Sequence, residues 1–271
     1  LVAIFGWPLR YTLSPLFQNA ALRRHRLDAA YIALPVEGAS DFRRLARAMM
    51  ASPNFVGANV TNPHKVAAAG LGLALSPAAR AIGAVNTLAR ARQGWMGDNT
   101  DAAGFLEALR AASLRLRGAR VLVLGSGGAA RAVVWACAQA RASRIVVLAR
   151  RRAQARACAA LAGARGLSGE LVPGSAALAS LGADLVVNAL PGEALGRTYG
   201  ACLARRVRTG VAAMDLGYSP ARTAFLREAG LRGWRGVNGM GMLVEQGRAA
   251  FKLWFGFKPA AAPLHAVLRK V

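Results

Sequence analysis

The sequence predicts an α/β protein of two domains, on three observations. Over the first hundred residues, short apolar runs alternate with stretches of helical character. Near the middle, Val121-Leu122-Val123-Leu124-Gly125 gives way to glycines, then to an alanine-rich run over 129–140 that is long enough for a helix. From there to residue 238 apolar strands and helices keep alternating. A length of 271 residues exceeds one average domain and suits two of modest size.

Taken in order, residues 2–5 read as a buried strand rather than a targeting leader. Residues 14–27 read as a helix with Ser14 as N-cap and Pro15 at its first position. Residues 30–36 form a strand, 41–50 a helix, 56–61 a strand and 63–71 a helix. Residues 85–88 and 95–97 look like paired strands, and the helix 101–112 leads out of the first domain. That domain is placed at 1–103 and the second at 104–238. The second has strands at 121–125, 144–149, 171–172, 184–189, 212–216 and 234–237. A long helix over 240–254 and a short one over 263–269 follow, so that residues 239–271 return to the first domain.

Composition narrows the class. With 55% hydrophobic residues there is ample material for two cores. No run of about eighteen apolar residues lacks a charge, which argues against a membrane span. Cys137, Cys158 and Cys202 are odd in number and far apart, so they fit a reduced cytoplasmic protein better than a disulfide framework or a metal site. Lys and Arg outnumber Asp and Glu by 36 to 12, a net charge of +24. The basic residues are scattered, aromatics are only 7%, and Arg outnumbers Lys by 32 to 4. That pattern reads as solvated surface charge of compositional origin rather than a nucleic-acid interface. The positive field nonetheless favours anionic ligands.

The strand–turn–helix at 121–140 carries the spacing G-x-G-x-x-A at Gly125, Gly127 and Ala130. Gly125 permits the tight turn, Gly127 lets backbone N–H groups approach a pyrophosphate, and the small Ala130 lets helix and strand pack closely. The strand before and the helix after supply the context the motif needs, which predicts a Rossmann-type parallel-sheet domain. The next strand ends at Ala149 and runs into Arg150-Arg151-Arg152. An acid there would bind a ribose 2′-hydroxyl, whereas arginine pairs with a 2′-phosphate, so the cofactor reads as NADP.

Two clusters in the first domain could do chemistry. In Asn59-Val60-Thr61-Asn62-Pro63-His64-Lys65, Asn62 can cap a helix starting at Pro63, with Lys65 in the first turn. The helix macrodipole disfavours a cation there and so favours a neutral amine usable in acid–base work. Lys65 is also one of four lysines among 36 basic residues. A plain surface lysine explains the position equally well. The second cluster pairs Gly83-Ala84-Val85-Asn86-Thr87 with Gly97-Asp98-Asn99-Thr100-Asp101. Asn99 or Thr100 can cap the next helix, which makes Asp101 an ordinary first-turn acid. A functional Asp101 would accept a hydrogen bond from a substrate hydroxyl or hold Lys65 in place.

In combination these stretches resemble the shikimate dehydrogenase family, from Gly6 to Gln246. The matching residues are Gly6-Trp7-Pro8-Leu9, Leu13-Ser14-Pro15 with Asn19, Asn59-Val60-Thr61 with Pro63 and Lys65, and the two Asn86 and Asp101 stretches. Further along come Gly127-Gly128-Ala129, Asp215 with Tyr218 and Pro220, and Gly239-Met240-Gly241-Met242-Leu243 with Gln246. The resemblance implies NADP-linked, reversible reduction of 3-dehydroshikimate to shikimate by a substrate-binding α/β domain and an NADP domain flanking an interdomain cleft. It implies Lys65 and Asp101 as the catalytic pair. Thr12, Ser14, Thr61, Asn86, Tyr218 and Gln246 would hold the substrate. Gly125, Ser126, Gly127, Gly128, Ala129, Arg150, Arg151, Leu216 and Gly239 would contact the cofactor, with no metal. The expected partners are the small-molecule substrate and, at most, a second copy of the chain, without nucleic acid or membrane.

The chain departs from the family pattern at several positions. Tyr11 and Thr12 stand where a histidine and a serine are usual, and Gln18 where another histidine is. Ala149-Arg150-Arg151 replaces Asn-Arg-Thr, and Leu190-Pro191 replaces Thr-Pro or Thr-Ser. Thr12 keeps a hydroxyl but adds a methyl at the carboxylate end of the pocket, which leaves a quinate/shikimate dehydrogenase open as the nearest rival. A non-catalytic NADP-binding or basic nucleic-acid-binding protein is the rival from another class, and retention of both Lys65 and Asp101 speaks against it.

Overall fold

The computed structural model describes residues 1–10, 12–171, 182–206 and 210–269. Two compact units emerge: Leu1–Gly104 with Leu243–Val271, and Phe105–Met242.

The first unit opens with β1 (Val2–Gly6), α1 (Ser14–Arg24), β2 (Tyr31–Pro35), α2 (Ala39–Ala51), β3 (Gly57–Val60) and α3 (Lys65–Ala69). Next come β4 (Ala74–Leu75), α4 (Pro77–Ile82), β5 (Thr87–Ala91), β6 (Gly94–Asp98) and the start of α5 (Asp101–Ala111). The strands form one mixed sheet in the order β2-β1-β3-β5-β6-β4. Strand β1 runs parallel to β2 and β3, whereas β5 is antiparallel to β3 and β6. One face carries a core in which the Phe5 ring meets Phe42 and Phe55 edge-on, at 5.7 and 6.5 Å. Truncating a ring as buried as Phe5 costs about 3–5 kcal/mol. Trp254 packs on the opposite face, where its indole N–H donates to the Leu88 carbonyl at 2.9 Å. It fills the space beside Gly57, where any Cβ would overlap it.

The second unit continues through β7 (Arg120–Leu124), α6 (Gly128–Gln139), β8 (Arg144–Ala149), α7 (Arg152–Ala159), a 3₁₀ turn (Ala160–Arg165) and β9 (Gly166–Glu170). Then follow β10 (Leu185–Asn188), α8 (Glu193–Arg206), β11 (Ala212–Asp215), α9 (Ala224–Gly230) and β12 (Arg235–Val237). The sheet order is β12-β11-β10-β7-β8-β9, with every pair parallel. The chain winds outward one way from β7 and the other way from β10, which makes the β7/β10 tips a topological switch point. Finally α10 (Met240–Phe255) and α11 (Ala261–Leu268) bring the chain back to the first unit.

Several expected elements shift. Helix α1 starts with Ser14 already inside it and Leu13 as the capping residue, without a side-chain cap. A turn in which Leu13 accepts the Leu16 N–H leads straight into the helix. It stops at Arg24, because Arg26 takes a positive φ of 53°. Helix α3 begins at Lys65 rather than Pro63, and its capping residue is His64, not Asn62. The His64 N–H donates to the Thr61 carbonyl at 2.9 Å, which keeps Asn62 and Pro63 in a turn. Strand β5 starts two residues late, since Val85 N–H bonds the Lys65 carbonyl instead of joining the sheet. The strand expected at 171–172 lies earlier, at β9, whose small and half-exposed edge residues leave no apolar run to read; Val172 is outside the described residues. Helices α4, α7, α8 and α9 were not individually expected. Among the described residues no helix is long and apolar enough to cross a membrane, and no three potential metal ligands gather.

Candidate active site

The first site forms where three connections of the first unit meet. Strand β3 ends at Val60, and Thr61 donates its N–H to the Phe5 carbonyl at 2.8 Å. The turn that follows delivers Lys65 as the first residue of α3. His64 anchors that turn: it is fully buried, stacks flat on Phe42 at 4.7 Å, and places Nε2 2.6 Å from the Val36 carbonyl. Asn86 precedes β5, bound through its N–H to the Asp98 carbonyl and through its carbonyl to the Val60 N–H. Beyond β6, the Asn99 side chain accepts the Asp101 N–H at 3.2 Å and donates to the Ala84 carbonyl at 2.9 Å. This caps α5 and presents Asp101 at its start.

These connections bring Lys65, Asn86 and Asp101 together. Lys65 Nζ donates to Asp101 Oδ2 at 2.6 Å, with side chains only 14% and 5% exposed. Asn86 Nδ2 donates to the other oxygen, Asp101 Oδ1, at 2.9 Å. Asn86 also reaches Thr100 Oγ1 at 2.9 Å and Gln246 Oε1 at 3.4 Å, and its own Oδ1 accepts the Thr100 N–H at 2.8 Å. A buried ion pair is strongly coupled because little water screens it, so losing either member leaves an uncompensated charge. A lysine and a carboxylate so held can donate or accept a proton at a substrate oxygen and orient a neighbouring hydroxyl.

The other first-unit candidates are not bonded into this cluster. Ser14 is buried and Thr12 half-buried; Thr12 Oγ1 accepts the Ser14 N–H at 3.4 Å. The Thr61 methyl lies against Gly6, where a Cβ would overlap it. Among the described residues, none of Thr12, Ser14 and Thr61 hydrogen-bonds to Lys65, Asn86 or Asp101. Tyr11 lies outside the described residues. Gln18, which stands at a usual histidine position, is buried and ties α1 to α10 through the Gly247 carbonyl at 3.0 Å. Thr100 was read only as a possible cap. It does stand at the cap position, its carbonyl accepting the Gly104 N–H at 3.0 Å, while its side chain bridges Asn86; no local signal reveals the second role because a cap already accounts for the residue type.

In the second unit the glycine turn sits at the switch point. Gly125 has φ +107°, and a Cβ there would come 3.1 Å from the Ala189 carbonyl at the end of β10. Its N–H donates to the Leu148 carbonyl of β8 at 2.8 Å. Gly127 caps α6 in extended backbone, with no atom within 4 Å of where a Cβ would stand. Ser126 lies between these glycines. The N–H groups of Gly128 and Ala129 open the helix without intrahelical acceptors, at the positive end of its dipole. Arg150 and Arg151 follow β8 at the same edge of the sheet, exposed and without an ion pair among the described residues. Gly239 packs against the Leu216 backbone so closely that a Cβ would overlap it. Tyr218 is half-buried in the loop after β11. Backbone donors at a helix start, a side-chain-free approach and two free guanidinium groups fit the phosphates of NADP.

Asp215, at the tip of β11, is buried. Burial pushes its pKa above the ordinary carboxylate value, opposed by hydrogen bonds from Thr223, the Gly217 N–H and Asn188. Asn188 in turn accepts the Leu190 N–H at 3.2 Å. This braces the β10 and β11 tips beside the glycine turn.

A doubly wound dinucleotide-binding sheet joined to an α/β unit with a buried lysine–carboxylate pair defines a pyridine-nucleotide-dependent oxidoreductase. Residues 4–88 match the shikimate dehydrogenase substrate binding domain, and residues 239–269 the shikimate 5′-dehydrogenase C-terminal domain. The chain is 38% identical over 280 residues to the shikimate dehydrogenase (NADP(+)) of Hyphomonas neptunium, covering 100% of this chain and 97% of that one. It is 39% identical over 286 residues to that of Salinibacter ruber, covering 99% and 96%. Among solved structures, shikimate 5-dehydrogenase from Thermus thermophilus in complex with NADP(H) and shikimate superposes with a TM-score of 0.86. The identity is 34%, over 99% of this chain and 98% of that one. The chain belongs to the shikimate dehydrogenase family.

Proposed function

We propose that the protein catalyses the NADP-linked, reversible reduction of 3-dehydroshikimate to shikimate in aromatic amino-acid biosynthesis. The observation that carries this reading is the 2.6 Å contact between Lys65 and Asp101, with Asn86 on the other carboxylate oxygen. NADPH, when bound, supplies the hydride. Gly125, Ser126, Gly127, Gly128 and Ala129 would hold the pyrophosphate and Arg150 and Arg151 the 2′-phosphate, and Leu216 and Gly239 would also contact the cofactor. As the ketone is reduced, negative charge develops on its oxygen. Lys65 Nζ would offer a proton or a neighbouring positive charge to that oxygen, and Asp101 would hold the amine and accept a substrate hydroxyl. Asn86 and Gln246 are suited to orient ring hydroxyls. Thr12, Ser14, Thr61 and Tyr218 would complete recognition of the carboxylate and hydroxyls. Residues 1–103, completed by 239–271, would form the substrate-binding domain and 104–238 the NADP-binding domain. The protein would work in the cytoplasm as a monomer or homodimer.

A four-way assay tests this reading: shikimate or quinate as substrate, NADP or NAD as cofactor. Shikimate with NADP should give the highest kcat/KM. Preference for quinate would move the protein to the quinate/shikimate group, and equal use of NAD would contradict the role of the arginines. Absence of turnover in all four combinations would contradict the proposal itself.

A further inference from the structure

A line of buried polar side chains runs away from the Asp101 carboxylate into the first unit. Tyr31 O–H donates to Asn59 Oδ1 at 2.8 Å, and Asn59 Nδ2 donates to Thr87 Oγ1 and to the Asn86 carbonyl, each at 3.3 Å. Thr87 Oγ1 donates to Asn86 Oδ1 at 2.9 Å, and Asn86 Nδ2 donates to Asp101 Oδ1. Tyr31, Asn59, Thr87, Asn86 and Asp101 are all less than 5% exposed.

Donor and acceptor counts, with the distances, set the direction of the links. The two hydrogens of Asn59 Nδ2 face two acceptors, so its oxygen must face the tyrosine, which then can only donate. Thr87 has one proton and accepts from Asn59; of its two other neighbours, Asn86 Oδ1 at 2.9 Å is closer than Thr100 Oγ1 at 3.4 Å, so it donates to Asn86 Oδ1. A flipped Asn86 would aim its carbonyl oxygen at the Asp101 carboxylate and its NH₂ at the Thr100 N–H, and both contacts repel. The far end of the line is anchored as well. Asn19 clamps the Tyr31 backbone, accepting its N–H at 2.9 Å and donating to its carbonyl at 2.8 Å. The Tyr31 ring also rests against Trp254, 6.1 Å between centroids.

We infer that Tyr31, Asn59 and Thr87 form a positioning relay for the reaction. Together with the Thr100 N–H, which donates to the same Asn86 Oδ1 at 2.8 Å, it holds the Asn86 amide in the orientation that donates to Asp101 Oδ1 and so leaves Oδ2 to Lys65. None of the three needs to touch the substrate. The inference rests on the proposed roles of Lys65, Asn86 and Asp101, and it adds a chain of control that reaches β2. The bland alternative is a set of satisfied polar groups that stabilises the sheet and nothing more.

The experiment measures kcat, KM and thermal midpoint for Tyr31→Phe, Thr87→Val, Thr87→Ser and the Tyr31→Phe/Thr87→Val double variant, with Lys65→Ala alongside. Loss of one neutral hydrogen bond corresponds to roughly tenfold in rate. Tyr31→Phe and Thr87→Val should each lower kcat with shikimate by about three- to tenfold, with KM for NADP unchanged. Thr87→Ser, which keeps the hydroxyl, should restore kcat to within about twofold of the wild type. Because the relay acts as one unit, the double variant should be hardly worse than either single one. Folded Tyr31→Phe and Thr87→Val proteins with wild-type kcat would overturn the relay, and so would rate losses that multiply in the double variant. If Thr87→Val does not fold, Tyr31→Phe against the wild type decides by itself, since phenylalanine keeps the ring packing. Lys65→Ala separates the two levels. If it retains turnover, the reading of the site fails; if it loses turnover while Tyr31→Phe does not, only the relay fails.

Discussion

The two units prepare for their ligands in opposite ways. In the first, the proposed catalytic groups are side chains already bonded to one another: Lys65 to Asp101, Asp101 to Asn86, Asn86 to Thr100 and Gln246. In the second, the proposed cofactor groups are backbone N–H donors, a glycine with open space where a side chain would stand and two exposed arginines. A side-chain network fixes geometry before the substrate arrives and fails when one member goes. Backbone donors survive substitution of most side chains, and separate arginines each contribute their own increment. The first site should therefore be brittle in turnover and the second graded in affinity.

The largest effect should come from Lys65→Ala, which removes the proton-bearing amine and leaves Asp101 as a buried, unpaired charge. Turnover should fall about 10²–10⁴-fold. Asp101→Asn keeps the shape but not the charge, so a loss of about 10–10²-fold, with a raised KM for shikimate, is expected from the same steady-state assay. Arg150→Ala should raise the KM for NADP by about tenfold, the size of a charge-assisted phosphate contact, and leave that for NAD nearly unchanged. If Arg150→Ala lowers kcat instead, the division between brittle and graded sites breaks down.

Smaller effects probe the scaffold of each unit. In the second, burial pushes the Cys158 thiol up to about 11, with the Arg131 charge pulling the other way, and burial raises Cys137 further. At pH 8 the folded protein should therefore react with a thiol reagent at no more than one of its three cysteines, and at all three after denaturation. In the first unit, burial raises the Glu245 pKa, but hydrogen bonds from Lys258 and Arg248 and their charges outweigh it, so the net shift is downward. A depressed folded-state pKa adds stability above the unfolded value of about 4.5 and loses it as pH falls through the folded value. Glu245→Gln should lower the thermal midpoint at pH 7 by about 2–4 °C, with the gap to the wild type closing below pH 4.

How much of this was legible depended on whether the signal was local. The β7–turn–α6 segment could be read because strand, glycines and helix adjoin in sequence, and the turn needs Gly125 at φ +107°. Lys65 stood out against a background of arginine. The edge strand β9 could not be read, since it has no apolar face to bury on both sides. The start of α3 was misplaced because the His64-to-Thr61 turn competes with the capping pattern that Asn62-Pro63 suggests. Tyr31 was invisible because its contact with Asn59 depends on β1 lying between β2 and β3, a pairing that no local pattern encodes. Thr100 was hidden by its own sufficient explanation as a cap.

The most direct test of the division between the units is the NADP dissociation constant of the Lys65→Ala protein, set beside its turnover. If proton chemistry resides in the first unit and phosphate binding in the second, NADP affinity stays within about twofold of the wild type while turnover falls by two orders of magnitude or more. A loss of NADP affinity that parallels the loss of turnover would contradict the account.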